Sequence, residues 1–194
     1  MISRLKGLLL ANDLSAVEVE TSGGVVYEVE VPLTVVERLP PIGTQVELRT
    51  VQVVREDSVS LFGFLEAHER NLFRRLLTAS GVGAKLALAM LSTYSARRLA
   101  QALAEKDLAA LTQVAGVGKK KAERLALELA DKVQDLALVP EDASEVPPAL
   151  EGAVSALVSL GYSFSDADRA VRKALAESGD PDMEELIRKA LAGD

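Results

Sequence analysis

A short glycine pattern occurs twice in the chain, 35 residues apart, and limits the possible folds more than any other feature. The first copy contains Gly81, Val82, Gly83 and Lys85, and the second contains Gly116, Val117, Gly118, Lys119 and Lys120. Glycine adopts positive φ without strain and lets another backbone come close, so each copy predicts a tight turn that leads into a helix. The valine between the glycines is expected to insert into the core and hold the turn in place.

The residues that follow each turn are suited to binding phosphate. The first turn of a helix has unpaired backbone N–H groups that attract anions, and a lysine just inside the helix adds a full positive charge. A single copy would be interpreted as a turn that only closes a helical hairpin. Two copies with lysines, and Arg124 beyond the second, favour two phosphate sites that together hold both strands of a DNA duplex.

The charge distribution supports the same region as the nucleic-acid site. The whole chain has a formal net charge of −7. Residues 65–139 carry a net charge of +4, whereas residues 1–64 carry −4 and residues 140–194 carry −7. A polyanion is therefore expected to face only the middle of the chain. Contacts to phosphate and sugar would be independent of base sequence and sensitive to salt.

Several classes of function are excluded by residue types that the chain lacks. It has no cysteine and one histidine, His68, so thiolate metal sites and the usual histidine clusters are excluded. A phosphate-binding loop of ATPases would need glycine at position 113 and serine or threonine at position 120, where Gln113 and Lys120 stand. We therefore expect a non-catalytic protein without a cofactor. The sequence has no apolar run of membrane-spanning length and no signal-peptide pattern, which predicts a cytoplasmic location.

Hydrophobic periodicity predicts four segments. Residues 1–64 alternate apolar and polar residues in short runs, which predicts a small five-stranded barrel of the OB type. Residues 65–139 change to helical spacing and predict four to five helices that include both glycine turns. Residues 140–148 have the composition of a flexible linker, and residues 149–194 predict a module of three short helices.

Arg55, Glu56 and Asp57 lie between two predicted strands and should form the tip of a β-hairpin. A soluble turn is the simplest interpretation of these residues on their own.

Four features resemble, in order along the chain, the RuvA family. They are the MISRLKG start, the Val-Val-Arg-Glu-Asp hairpin at 53–57, the paired glycine turns, and Leu160-Gly161-Tyr162. Residues 81–89 and 116–125 are the most specific match. Ala84 and Ala115 stand where the family often has proline, and Lys121 stands where it often has threonine.

The resemblance implies a fold and a function. It implies an OB barrel, tandem helix-hairpin-helix motifs and a UBA-like three-helix module on its linker. The chain would bind four-way (Holliday) DNA junctions as a homotetramer or octamer in recombination, repair and the SOS response. Its partners would be the hexameric RuvB ATPase and the RuvC resolvase. Residues 55–57 would be the acidic pin at the junction centre, and Leu160, Gly161, Tyr162, Leu186 and Ile187 would be candidate RuvB contacts.

Two alternatives remain open at the level of sequence. A DNA repair enzyme could use the same tandem hairpins to grip duplex DNA non-specifically, although Glu56 and Asp57 have no evident partner for catalysis. A purely protein-binding adaptor would leave the duplicated lysines unexplained.

Overall fold

A computed structural model describes residues 1–137, 148–162, 164–178 and 182–192 of the chain. The chain forms two compact units, residues 1–139 and 140–194, and each is described by itself. The predicted linker spans 140–148. Residues 140–147 lie outside the described residues, and Pro148 is already the first residue of a helix.

The first unit begins with the predicted five-stranded barrel. Its strands are β1 Arg4–Asn12, β2 Ala16–Glu20, β3 Val26–Glu30, β4 Gln45–Val54 and β5 Val59–Phe64. They close in the order β1-β2-β3-β5-β4, with a parallel contact only between β3 and β5. Alternation places Val17, Val19 and Val29 in the barrel core. The apolar insert between β3 and β4 forms the short helix α1, Leu33–Val36.

The rest of the described first unit is helical, as the spacing predicts, but it contains six α-helices where four to five were expected. The helices are α2 Ala67–Leu76, α3 Ala84–Thr93, α4 Ala96–Ala104, α5 Leu108–Thr112, α6 Lys119–Leu129 and α7 Gln134–Ala137. Ser95 caps α4 by accepting the Arg98 N–H, and Asp107 caps α5 by accepting the Ala110 N–H.

Strands β4 and β5 contribute residues to the hydrophobic core of the helices, while the interior of the barrel has a separate core. Phe73 of α2 packs against Phe62 and Phe64 of β5, with ring centroids 5.0 Å apart in both pairs. Val51 of β4 lies in the same cluster as the buried leucines of the helices. The predicted division at residue 64 is therefore a change of secondary structure within one compact unit.

The second unit has three helices: α8 Pro148–Ser159, α9 Phe164–Ser178 and α10 Met183–Ala192. Leu157, Val171 and Leu186 lie in its small core. Nowhere in the described ranges is a helix both long enough and apolar enough to cross a lipid bilayer.

We expect Phe73→Ala to destabilise the first unit by about 3–5 kcal/mol, because it removes a fully buried ring that contacts both β5 phenylalanines. Chemical unfolding followed by circular dichroism would measure the change. Leu127→Ala is the control, since Leu127 is 77% exposed on α6 and its loss should change the free energy of unfolding by no more than about 0.5 kcal/mol. A Phe73→Ala variant as stable as the control would contradict the shared core.

Candidate nucleic-acid interface

The two glycine turns have the same backbone conformation. Gly81 has a φ of +77° and Gly116 a φ of +84°, values that a residue with a Cβ adopts only with strain. The Val82 N–H donates to the Ala79 carbonyl at 3.2 Å, and the Val117 N–H donates to the Val114 carbonyl at 3.0 Å. The sequence repeat is therefore a structural repeat of helix, turn and helix.

Each turn is held by its valine. Val82 and Val117 are buried in the core of the helical region, whereas the glycines on either side of them are exposed. The sequence pattern places these two valines among the candidate DNA contacts. Their burial suits the anchoring role that the pattern also predicts, and the exposed residues of each turn are their neighbours.

The helix that follows each turn begins with an open first turn. Gly83 precedes α3 and Gly118 precedes α6, both with extended backbone, and neither helix has a side-chain cap among the described residues. By contrast, α4 and α5 are capped by Ser95 and Asp107. The amides of α3 and α6 are thus left available to an anion.

Three lysines surround these amides. Lys85 lies in the first turn of α3, and Lys119 and Lys120 are the first two residues of α6. All three are exposed. Each predicted phosphate site therefore combines backbone N–H groups with at least one exposed ammonium group.

The two turns are neighbours in the folded unit. A Cβ placed on Gly116 would lie 3.7 Å from Cδ1 of Leu86, which is in the first turn of α3. The Lys121 ammonium donates to the Gly116 carbonyl at 3.0 Å. Lys121 therefore braces the second turn.

Glu128 links the two hairpins directly, and the sequence pattern does not identify it. One carboxylate oxygen accepts the Ser80 N–H of the first turn at 2.8 Å, and the other accepts Arg124 Nε at 2.7 Å on α6. These bonds, the one from Ser80 foremost, lower the pKa of the Glu128 carboxyl below its ordinary value. A lowered pKa means that the stabilisation is complete above the ordinary pKa and is lost as the pH falls through the lowered one. The only sequence signal was the spacing of Arg124 and Glu128, four residues apart.

Arg124 is therefore both exposed and oriented. Its predicted role as a DNA contact is compatible with this geometry, because Nε bonds to Glu128 and the rest of the guanidinium remains available.

The predicted hairpin tip joins β4 to β5. The Arg55 N–H donates to the Ser58 carbonyl at 2.8 Å, which closes a tight turn with Glu56 and Asp57 exposed at its end. Val54 and Val59, at the base of the tip, are 67% and 65% exposed, so the hairpin projects from the barrel. Arg55 Nη2 lies 4.0 Å from the position of a Cβ on Gly83, which brings the tip beside the first glycine turn.

The residues predicted to bind a protein partner lie in the second unit. Leu160 is 64% exposed and precedes Gly161, whose φ of +102° forms the turn after α8. Tyr162 and Ile187 are half-buried against the core of that unit. Leu186 is buried in that core, so its position does not suit a surface contact.

Together the barrel, the paired turns and their open helix ends define a tandem helix-hairpin-helix protein with an attached OB-type barrel. Family models match three segments of the chain: the RuvA N terminal domain at residues 1–63, a SAM-like helix-hairpin-helix tandem at 73–131, and the RuvA C-terminal domain at 148–194. The chain belongs to the RuvA family.

Relatives of similar length are named Holliday junction branch migration complex subunit RuvA. The protein of Gemmatimonas aurantiaca is 46% identical over 99% of this chain and 98% of its own length. That of Pseudomonas syringae is 44% identical over 100% and 99%, and that of Sodalis glossinidius is 43% identical over 98% of both chains.

We expect Glu128→Gln to weaken binding to a linear DNA duplex by about threefold to tenfold, because a neutral amide holds Ser80 and Arg124 less well. Glu123→Gln is the matched control. It removes the same charge from an exposed position on the same helix and should leave binding unchanged or slightly tighter.

Fluorescence anisotropy with labelled duplex would measure both variants, alone and combined with Arg124→Ala. If Glu128 acts by orienting Arg124, the effects of the two substitutions on the free energy of duplex binding will not be additive. Duplex affinity of Glu128→Gln equal to that of Glu123→Gln would refute the orienting role.

Proposed function

We propose that this chain binds four-way DNA junctions as a cyclic tetramer, holds them open and square-planar, and recruits the RuvB ATPase for branch migration in recombination and repair. The observation that carries the proposal is the pair of equivalent, uncapped helix starts with exposed lysines, joined through Glu128. Two such sites at a fixed separation suit the two backbones of one duplex arm. The relatives are named as subunits of a Holliday junction branch migration complex, and the proposal takes the four-way junction and the complex from those names.

Recognition in this proposal depends on the shape of the DNA. Backbone amides and lysines contact phosphates, which carry no base identity, so affinity should depend strongly on salt and little on sequence. Selectivity for a junction then requires several arms to be bound at once. Four identical subunits around one axis present the same basic surface to each of four arms.

The exposed tip at Arg55, Glu56 and Asp57 is proposed to act as the acidic pin at the centre of the tetramer. Carboxylates repel phosphates, so the pin would keep the crossover open and help to separate strands without adding affinity. Arg55, beside the first glycine turn, would offset part of that repulsion by contacting a phosphate or base.

The second unit is proposed to bind RuvB, which hydrolyses the ATP. Leu160 and Val158 expose apolar surface at the end of α8, and they are the favoured contacts there. The linker predicted from the sequence at residues 140–148 would keep the motor at high local concentration while it changes shape. The RuvC resolvase is retained as a candidate partner on the family resemblance alone.

The proposal predicts a strong preference of the full chain for an immobile four-way junction over a linear duplex, with four or eight subunits in the complex. Lys119→Ala combined with Lys120→Ala should abolish most of this binding. The slope of the logarithm of the binding constant against the logarithm of the salt concentration should also become shallower, by about 0.9 for each phosphate that is no longer neutralised. Titrations at several salt concentrations, with native mass spectrometry of the complex, would measure both effects.

Lys173→Ala, at an exposed lysine of α9, is the control and should bind as the unaltered chain does. Equal affinity for junction and duplex, or a monomer on the junction, would favour the alternative of a repair enzyme that grips duplex DNA. Full junction binding by the double lysine variant would favour a protein-binding adaptor.

For the pin, Glu56→Gln with Asp57→Asn should bind junctions at least as tightly as the unaltered chain, because two charges that repel phosphate are removed. The rate or specificity of RuvB-driven branch migration should change, as measured with a mobile junction and gel electrophoresis of the products. Weaker junction binding by this variant would contradict the proposed role.

A further inference from the structure

A set of polar contacts joins the first hairpin to the segment that follows the second. It connects residues 75–80, at the end of α2 and before Gly81, with residues 128–135, from the last turn of α6 to α7. The six residues involved are Arg75, Thr78, Ser80, Glu128, Lys132 and Asp135. We call them the polar seam. The contacts that cross it join residues between 48 and 60 positions apart, so the seam is a product of the fold and not of local sequence.

Arg75 makes the most directional contact of the polar seam. Its Nη2 atom donates to Oδ2 of Asp135 at 2.7 Å, and its Nη1 atom donates to Oδ1 of the same carboxylate and to the Lys132 carbonyl. Both side chains of the ion pair are partly buried, with 30% of Arg75 and 33% of Asp135 exposed. Two parallel bonds between a guanidinium and a carboxylate fix an angle as well as a distance. Arg75 is therefore paired within the unit and is not directed at an external phosphate.

Two further contacts support this ion pair. The Lys132 ammonium donates to the Thr78 hydroxyl at 3.3 Å, and that hydroxyl donates to the Arg75 carbonyl at 2.8 Å. Closer to the first glycine turn, the Ser80 N–H donates to Glu128 at 2.8 Å. The polar seam therefore holds the end of α2 and the entry to the first turn at several points.

Apolar residues next to the polar seam also hold the two segments together. Leu76, Leu129, Val133 and Leu136 are buried in one cluster of the helical region. Apolar attraction depends on the area that is buried and has no preferred direction. The bidentate ion pair does have one, so the seam determines the angle between α2 and the end of α6 more closely than the apolar contacts do.

The direction of α6 determines where the second phosphate site lies. The helix has 11 residues and is about 16 Å long, with Lys119 at its start and Glu128 in its last turn. Near its start, Gly116 lies beside Leu86 of α3. A helix that is held at one end only can pivot, and pivoting would change the separation of the two phosphate sites. The polar seam holds the other end.

We propose that Arg75 and Asp135 are positioning residues that fix the separation of the two phosphate sites, and that this fixed separation makes the pair of sites select B-form DNA over an A-form duplex. B-form DNA has a narrow minor groove, whereas A-form RNA has a wide, shallow minor groove and a narrow major groove. Phosphates that face each other across a groove are therefore spaced differently in the two forms. A rigid pair of sites matches one spacing, and a loose pair accommodates both. The inference rests on the phosphate-binding role of the glycine turns in the proposed function.

Double electron–electron resonance on the free chain would measure the separation. The chain has no cysteine, so Lys85→Cys with Lys120→Cys places one spin label at each phosphate site and nowhere else. Labelled chain is diluted with an excess of unlabelled chain, so that only distances within one copy are recorded. We expect one narrow distribution of distances. It should become broader when Arg75→Met or Asp135→Asn is added, because either change removes the bidentate ion pair.

The same two substitutions without spin labels test the selectivity. Fluorescence anisotropy would give the affinity of the full chain for a DNA duplex and for an RNA duplex of corresponding sequence. The ratio of these affinities should favour DNA in the unaltered chain and should fall by about threefold to tenfold in both variants. Arg74→Met is the matched control, because it removes the same charge from an exposed neighbour on α2 and leaves the polar seam intact. It should change neither the distance distribution nor the ratio.

Circular dichroism would check folding, and Asp135→Asn, which keeps the shape of the side chain, carries the test if Arg75→Met is unfolded. An unchanged distance distribution would overturn the positioning role, and an unchanged ratio would overturn the assignment of selectivity to the polar seam. Equal loss of DNA and RNA affinity at an unchanged distribution would make Arg75 a phosphate contact and also overturn the inference. The expected broadening and fall in ratio, in a chain that does not prefer four-way junctions, would support the inference and contradict only the junction-binding function.

Discussion

The packing of Phe73 against Phe62 and Phe64 determines where the first glycine turn lies relative to the hairpin tip at Arg55, Glu56 and Asp57. It joins α2 to β5, and β5 is the strand that returns from the acidic tip. The helix that leads into the first glycine turn is therefore held at a fixed position relative to the tip, with Arg55 beside Gly83. Since buried aromatic contacts are stiff and costly to disturb, the separation of tip and turn is determined by the core.

The duplicated hairpin gives the first unit two turns of the same geometry, each followed by an uncapped helix. A left-handed glycine turns the chain, a buried valine holds the turn, and a second glycine leaves the next helix uncapped. One copy would bind a phosphate weakly and in any direction. In the proposed function, a second copy at a fixed distance would make the pair selective for the spacing of a duplex backbone, and Glu128 joins the two hairpins through Ser80 and Arg124.

The sequence predicted the turns, the barrel and the three-helix unit because each depends on local chemistry. Glycine and valine at a fixed spacing determine a turn, and alternation or helical spacing determines which side of an element is buried. It did not reveal Glu128, because the bond to Ser80 joins residues 48 apart and glutamate on a helix is usually solvated. The sequence also did not show that Leu186, a candidate partner contact, is buried, because an apolar residue on a short helix has no local signal that separates core from contact surface.

An acidic chain binds a polyanion only if its charges are kept apart in space, and the fold does this in three ways. The lysines lie at the helix starts, where backbone amides add to their field. Of the carboxylates in this region, Glu128 is bonded to Ser80 and Arg124, and Glu56 and Asp57 lie on the projecting tip. The outward glutamates of β2 and β3 lie on different strands from the arginines of β1 and β4. The net charge of the chain therefore predicts little about DNA binding. At about 0.15 M salt, the electrostatic potential of a charged surface is screened over about 8 Å, so only the charges near the bound DNA affect its binding.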